Sequence, residues 1–252
     1  MCGIIGYVGG QPALDVVLAG LARLEYRAYD SAGAAVLADG GLAAAARAGK
    51  LSNLHKELAE HPLPTGTTGI GHLRWATHGA PNDANAHPQL DNAGRVAVVH
   101  NGTIENFAAL RAELTGRGHE LASETDTEVV AHLLAESFSS CGDLAEAMRQ
   151  TCRRLEGAFT LVAVHADDPD AVVGARRDAP LLVGVGDGDG DGEYFLASEA
   201  AAFIAHTREA VELGQDQVVE LRRGHGVTVT DFEGTAADVR VCRVDGVDWD
   251  AS

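Results

Sequence analysis

The stretch Met1-Cys2-Gly3-Ile4-Ile5-Gly6-Tyr7-Val8 decides how the rest of the chain is read. Its apolar run from Gly3 onward has the length and composition of a buried strand, and Cys2 stands at the leading end of that strand. If Met1 is removed, as happens when the following side chain is small, Cys2 carries a thiol and a free α-amine on one carbon. An α-amine has a pKa of about 7.7–8 and a thiol of about 8.5. Near neutral pH part of the amine is therefore uncharged and able to take the proton of its own thiol, as in a terminal threonine activated by its amine. The bland alternative is a cysteine that follows Met1 by chance, and the remaining chain has to discriminate between the two.

Outward from this strand, Leu14, Val17, Leu18, Leu21 and Leu24 recur at helical spacing behind Pro12, a residue suited to a first turn. Residues 33–37 read as a strand and 39–41 as a turn. The alanine-rich segment 42–47 is open between helix and hairpin partner, the turn favouring the hairpin. A short helix is expected over 51–61, a strand over 69–75, and a long loop over 76–91 of the kind that is usually functional. The next strand, residues 96–100, ends at Asn101-Gly102. Phe107, Leu110 and Leu114 mark a helix stopped by Gly116 and Gly118. Thr125 with Glu128, and Asp143 with Glu146, have capping-box spacing before two further helices. The last third reads as short strands over 158–165, 171–175, 181–186, 193–197, 217–221 and 226–232, with a short helix over 198–205. Helices and strands followed by an antiparallel set argue for an α+β domain with two sheets packed between helices.

Composition narrows the function. The chain has 252 residues, 46% of them hydrophobic and 22% charged, with a net charge of -18. It is long enough for a sizeable core, and its acidity argues against binding nucleic acid. No apolar stretch is long enough to span a membrane, and nothing at the N-terminus resembles a secretory signal or a lipoprotein leader. Cys2, Cys141, Cys152 and Cys242 form no CxxC pair, so a reducing, cytoplasmic setting without disulfides is expected. The acidic run Gly186-Asp187-Gly188-Asp189-Gly190-Asp191-Gly192 imitates a calcium loop. Counted from Asp187, however, the twelfth position is Ser198 rather than the required Glu, and a hairpin loop is the better reading. His72, His78, His87 and His100 lack the spacing of a zinc site, and no metal or other cofactor is expected.

A set of polar groups at strand and helix ends remains. Singly, Arg74 reads as a surface ion pair, Asn101-Gly102 as a turn, and Asp126 as a favourable charge at a helix start. Together with Cys2 they suit the cleavage of an amino acid's side-chain amide. Arg74 can clamp an α-carboxylate in a two-pronged contact, Asp126 can pair with the α-ammonium, and the Asn101 side chain with the Gly102 N–H can form an oxyanion hole.

The motifs Cys2-Gly3-Ile4-Ile5-Gly6, Arg23-Leu24-Glu25-Tyr26-Arg27, Tyr29-Asp30-Ser31-Ala32-Gly33, Arg74-Trp75-Ala76-Thr77-His78-Gly79, Asn85-Ala86-His87-Pro88, His100-Asn101-Gly102 and Ser123-Glu124-Thr125-Asp126-Thr127-Glu128 resemble the class II glutamine amidotransferases. These are glutaminase domains of the N-terminal-nucleophile hydrolase superfamily. The resemblance covers nearly the whole chain and implies a four-layer αββα sandwich. It implies Cys2 as nucleophile with its own amine as base, Asn101 and Gly102 as oxyanion hole, and Arg27 positioning the N-terminus. Arg74, Trp75, Thr77, His78 and Asp126 would hold L-glutamine, with Trp75 on a loop that gates the passage of ammonia. It also implies a glutaminase domain over residues 2–240 and, over 241–252, the start of a linker to a sugar-phosphate isomerase domain that would consume the ammonia.

Two residues depart from the family pattern. Ala28 stands where glycine is usual and is strained if its φ is positive, and Leu73 stands where threonine is usual, removing a hydroxyl next to Arg74. Two other functions stay open at this stage: a glutaminase-like module that is inactive and serves a separate synthase, and an amidase of the same superfamily with another substrate. The Arg74/Asp126 pair argues against the latter, because those charges suit a free amino acid.

Overall fold

The computed structural model describes residues 2–38, 41–76, 79–186 and 192–245. In chain order the first elements are β1 (Gly3–Val8), α1 (Ala13–Leu24), β2 (Ser31–Ala38), β3 (Gly41–Ala48), α2 (Leu51–Glu60), β4 (Thr68–Arg74), β5 (Gln89–Leu90) and β6 (Val96–Ile104). Three helices follow, α3 (Phe107–Gly116), α4 (Asp126–Cys141) and α5 (Leu144–Cys152). The remainder is strand: β7 (Gly157–His165), β8 (Asp168–Arg177), β9 (Leu182–Gly186), β10 (Glu193–Ala197), β11 (Glu209–Glu212), β12 (Gln217–Arg222), β13 (Gly226–Asp231) and β14 (Cys242–Arg243).

The strands form two antiparallel sheets, one of eight in the order β14-β11-β9-β10-β1-β4-β2-β3 and one of six in the order β13-β12-β8-β7-β6-β5. Strand alternation distributes the core among three interfaces. Ile5, Tyr7, Leu73 and Phe195 face α1 and α2. Ile4, Val8, Ile70, Val99, Val162 and Val172 meet between the sheets. Val98, Leu161, Val173 and Phe159 face α3, α4 and α5. The result is the four-layer αββα sandwich, helices outside and sheets inside.

This alternation places the site. β1 is sandwiched between β4 and β10, in register Ile4 to His72 and Ile5 to Ala197. His72 and Arg74 share the parity of Ile70 and so lie on the face toward the second sheet. Asn101 shares the parity of Val99 on β6 and faces the first sheet. Cys2 precedes Ile4 by two residues and stands at the same end.

Several expectations need correction. Asn101-Gly102 is not a terminal turn: β6 runs on to Ile104, with Asn101 opposite Thr160 and Gly102 opposite Phe159 on β7. Gly102 has φ of 117°, and a Cβ there would overlap the Ala158 carbonyl, so the glycine is required by the strand rather than by a turn. The segment after Gly41 is the hairpin partner that the turn favoured, with Val36 opposite Ala43. The helix expected over 198–205 is a single 3₁₀ turn at Ala200–Ala202. The short strands β5 and β11 carry too few residues to show a period, and β14 pairs with β11 beyond residue 240. Ala28 is buried and is absent from the positive-φ residues, Asp178 and Asp216 being the non-glycine cases described. The anticipated strain at Ala28 is therefore not present. Leu73 packs in the core toward α1 and α2, on the face opposite Arg74, so a hydroxyl there would not reach the site. The turn at 39–40, the acidic residues 187–191, and Thr77 with His78 fall outside the described residues.

Helix α4 starts with the Thr125 half of the capping box, while Glu128 reaches past Thr125 and the Thr125 N–H donates to Ser123 Oγ at 3.1 Å. Thr125 Oγ1 accepts from the Glu128 N–H at 3.2 Å, and the Glu128 carboxylate reaches back to the N–H groups of Ala122 and Ser123, both at 2.7 Å. Because Asp126 is the first residue of α4, this cap also fixes Asp126. Thr125→Ala is expected to lower stability by about 1 kcal/mol, measured as a fall in the urea unfolding midpoint at unchanged slope.

Candidate active site

One end of the inter-sheet space opens into a cavity of about 280 Å³. Among the residues lining it are Cys2, Arg27, Arg74, Trp75, Asn101, Gly102 and Asp126, all singled out from the sequence. Elements far apart in the chain supply them: Cys2 precedes β1, Arg74 ends β4, Asn101 and Gly102 lie in β6, and Asp126 begins α4.

The Cys2 sulfur accepts a hydrogen bond from the Trp75 N–H at 3.1 Å. Burial raises its pKa above the ordinary thiol value, and the bond from Trp75 opposes this only in part. The positive charges of the N-terminus, Arg74 and Arg27 also oppose it, and the net direction favours the thiol over the thiolate, which gives a neighbouring base a role. The segment that carries Trp75 is tied to the Tyr29-Asp30-Ser31 motif. Asp30 Oδ2 accepts from Ala76 N–H at 2.9 Å, Asp30 N–H donates to the Arg74 carbonyl at 3.1 Å, and the Tyr29 and Trp75 rings meet edge-on with centroids 5.7 Å apart.

Arg74 is almost fully buried. Its guanidinium donates to the Gly79 and Ala80 carbonyls at 3.3 and 3.5 Å, which fixes the planar group where it lines the cavity. Asp126 Oδ2 accepts from the Ile104 N–H at 2.9 Å, and Oδ1 stands 3.6 Å from His100 Nδ1. A carboxylate at a helix N-terminus is favoured by the dipole. Asn101 Nδ2 donates to the Cys2 carbonyl at 3.2 Å, and Asn101 Oδ1 lies 2.9 Å from His72 Nε2. Thus a thiol, a cation, an anion and an amide donor face one cavity.

Arg27 forms an ion pair with Glu199, whose carboxylate also accepts from the Tyr26 hydroxyl at 2.7 Å. Beside it, Ser198 Oγ accepts from the Ile4 N–H at 3.0 Å, pinning the strand that follows Cys2. Neither Ser198 nor Glu199 was expected at the site, and no local pattern could have found them, because their partners lie at the other end of the chain. Ala179 and Pro180 also line the cavity without any signal in the sequence. His87 and His100 line it too. Both sit inside quoted motifs, so their positions were legible although their place was not.

The glutamine amidotransferase domain family matches residues 72–205, and the chain belongs to that family, in its N-terminal-nucleophile hydrolase fold. Over 252 residues it is 77% identical to the glutamine–fructose-6-phosphate aminotransferase (isomerizing) of Streptomyces coelicolor, all of this chain against 40% of that protein. It is 56% identical to the enzyme of the same name from Leifsonia xyli, again over all of this chain and 40% of the relative. The chain thus spans 40% of the length of these curated relatives. Among solved structures it resembles the glutamine phosphoribosylpyrophosphate amidotransferase of B. subtilis, with a TM-score of 0.75 and 25% identity over 93% of this chain and 50% of that one. A structure described as the allosteric regulatory enzyme of purine biosynthesis gives a TM-score of 0.78 with 26% identity, over 92% of this chain and 49% of that one. Among the described residues no helix is long and apolar enough to cross a membrane.

The buried histidines at and behind the cavity have a consequence for stability. His72 is fully buried, and burial pushes its pKa down to about 3; burial also holds His87 well below the ordinary imidazole value. In the unfolded chain both titrate near pH 6.5. The unfolded state therefore binds more protons in acid, and stability is lost as pH falls below about 6.5, for His72 down toward 3, by up to about 1.4 kcal/mol per pH unit for each proton taken up. The urea midpoint is expected to be clearly lower at pH 5 than at pH 7, and His87→Asn is expected to reduce that difference.

Proposed function

We propose that this chain hydrolyses the side-chain amide of L-glutamine to glutamate and ammonia through a thioester on Cys2. The observation that carries this reading is the convergence of Cys2, Arg74, Asn101, Gly102 and Asp126 on one cavity, the groups a free amino acid with a scissile amide requires.

With Met1 removed, the Cys2 α-amine takes the thiol proton, directly or through a water, and the sulfur attacks the amide carbon. The carbonyl oxygen becomes an oxyanion. Asn101 Nδ2 has two hydrogens, and one of them with the Gly102 N–H stabilises that charge, each such donor contributing about 3 kcal/mol. The tetrahedral centre collapses as the ammonium form of the amine protonates the departing nitrogen. Ammonia leaves, and a γ-glutamyl thioester remains. Water then attacks the thioester, the amine accepts its proton, and glutamate departs with the Cys2 thiol restored. Arg74 takes the α-carboxylate and Asp126 the α-ammonium. Trp75, part exposed at the cavity mouth, closes over the substrate, and Arg27 holds the N-terminal strand through Glu199. Thr77 and His78 are assigned to the glutamine site on the motif they share with Arg74.

The S. coelicolor relative's name supports a destination for the ammonia: amination of fructose 6-phosphate on a sugar-phosphate isomerase domain, joined after a glutaminase unit spanning residues 2–240. A cytoplasmic setting goes with this chemistry, since the thiol has to stay reduced.

Intact-mass measurement combined with a glutamate-release assay tests the reading. Loss of Met1 with glutamate formation is expected, and Cys2→Ala should abolish it. Loss of Met1 without any glutamate would favour a module that acts only through a separate synthase. Arg74→Lys, which replaces a bidentate fork by a point charge, is expected to raise KM for glutamine by about tenfold or more; an unchanged KM would remove Arg74 from the site.

A further inference from the structure

His72 was considered from the sequence only as a metal ligand and set aside, and the reaction above makes no use of it. The structure puts it directly behind the amide that faces Cys2. Asn101 Nδ2 donates to the Cys2 carbonyl at 3.2 Å. A carboxamide turned by 180° would oppose two acceptor oxygens there, so this contact assigns which end of the amide is nitrogen. The other end, Oδ1, is 2.9 Å from His72 Nε2. An oxygen accepts, so His72 must donate from Nε2, and the single N–H of a neutral imidazole is placed on that atom. The ring is fully buried and is backed by His87, whose centroid lies 4.4 Å away at an interplanar angle of 38°. It also stands on β4 opposite Ile4 of β1. An exposed amide could rotate; this one is held on both sides.

We infer that His72 is a positioning residue: its Nε2–H holds the Asn101 oxygen and so keeps the amide N–H₂ turned toward Cys2, with the His87 ring preventing His72 from turning away. The inference rests on the reading of Asn101 as an oxyanion donor. It predicts an effect on turnover rather than on glutamine binding, because the ring is not a partner of the α-carboxylate or the α-ammonium.

The test compares His72→Phe, which keeps a flat ring without a donor, with His72→Gln, whose amide N–H₂ reaches the place of Nε2. Both are made alone and in an Asn101→Ala background, in full chain with Met1 removal verified by mass. His72→Phe is expected to lower kcat for glutamine hydrolysis roughly 10- to 100-fold with KM within about twofold. His72→Gln should regain most of the loss. In the Asn101→Ala background His72→Phe should add no further loss, since the two act as one unit. The rate of Cys2 alkylation by iodoacetamide should be the same in all variants. Wild-type kcat in His72→Phe, equal defects in Phe and Gln, a full penalty persisting without Asn101, or alkylation slowed in parallel with kcat would each overturn the inference. If His72→Phe does not fold, His72→Leu takes its place against His72→Gln under the same criteria. Wild-type kcat in Asn101→Ala would instead overturn the oxyanion reading itself.

Discussion

The Asn101 carboxamide joins the two sheets at the site. Asn101 belongs to the six-stranded sheet, and its side-chain amide bonds across to the eight-stranded side, to Cys2 just before β1 and to His72 of β4. The chemistry depends on that bridge, because the nucleophile comes from one sheet and the proposed oxyanion donors from the other. The sheets must then approach closely at the centre. Gly6 of β1 allows it: a Cβ at that position would stand 3.1 Å from Val172 Cγ1 and 3.2 Å from Val162 Cγ1, tighter than a packed interior accepts without shifts.

The polar groups in and behind the cavity divide by their partners rather than by burial, since Arg74 and Asp126 are buried as His72 and His87 are. Removal from water favours the Cys2 thiol and keeps His87, in the lining, and His72, behind it, neutral. A neutral imidazole can donate one hydrogen bond of known direction without bringing a second cation near Arg74. A protonated resting thiol explains why an adjacent amine is useful, since the amine supplies the base without another side chain having to enter the crowded strand end. The full charges sit where the backbone compensates them. Arg74 is met by the carbonyls of Gly79 and Ala80. Asp126 is met by the Ile104 N–H and by the N-terminal end of α4. Buried charges without such partners would carry a large desolvation penalty.

Local signals carried well where the physics is local. The Thr125–Glu128 cap, the hairpin after Val36 and the apolar period of α1 depend on residues within a few positions of one another, and all were legible. The end of β6 was placed too early, at Asn101-Gly102, because a strand that keeps its ladder through a glycine at positive φ is determined by β7 across from it. Leu73 is the neighbour of Arg74 in sequence, yet strand alternation sends it into the opposite core. Glu199, which pairs with Arg27, has no mark in its own segment.

The sequence by itself determined the inventory: a cysteine behind a removable methionine, a carboxylate clamp, an anionic partner, an amide donor, and the alternation that turns each strand residue to one face or the other. These follow from residue chemistry and from backbone periodicity, which act over a few positions. Only the tertiary structure decided that Cys2, Arg74, Asn101 and Asp126 share one cavity, that His72 stands behind Asn101, and that Ser198 and Glu199 brace the N-terminal strand. Those facts depend on which strands pair and how far apart two sheets settle, which is set by the packing of the whole core and is written in no single segment of the chain.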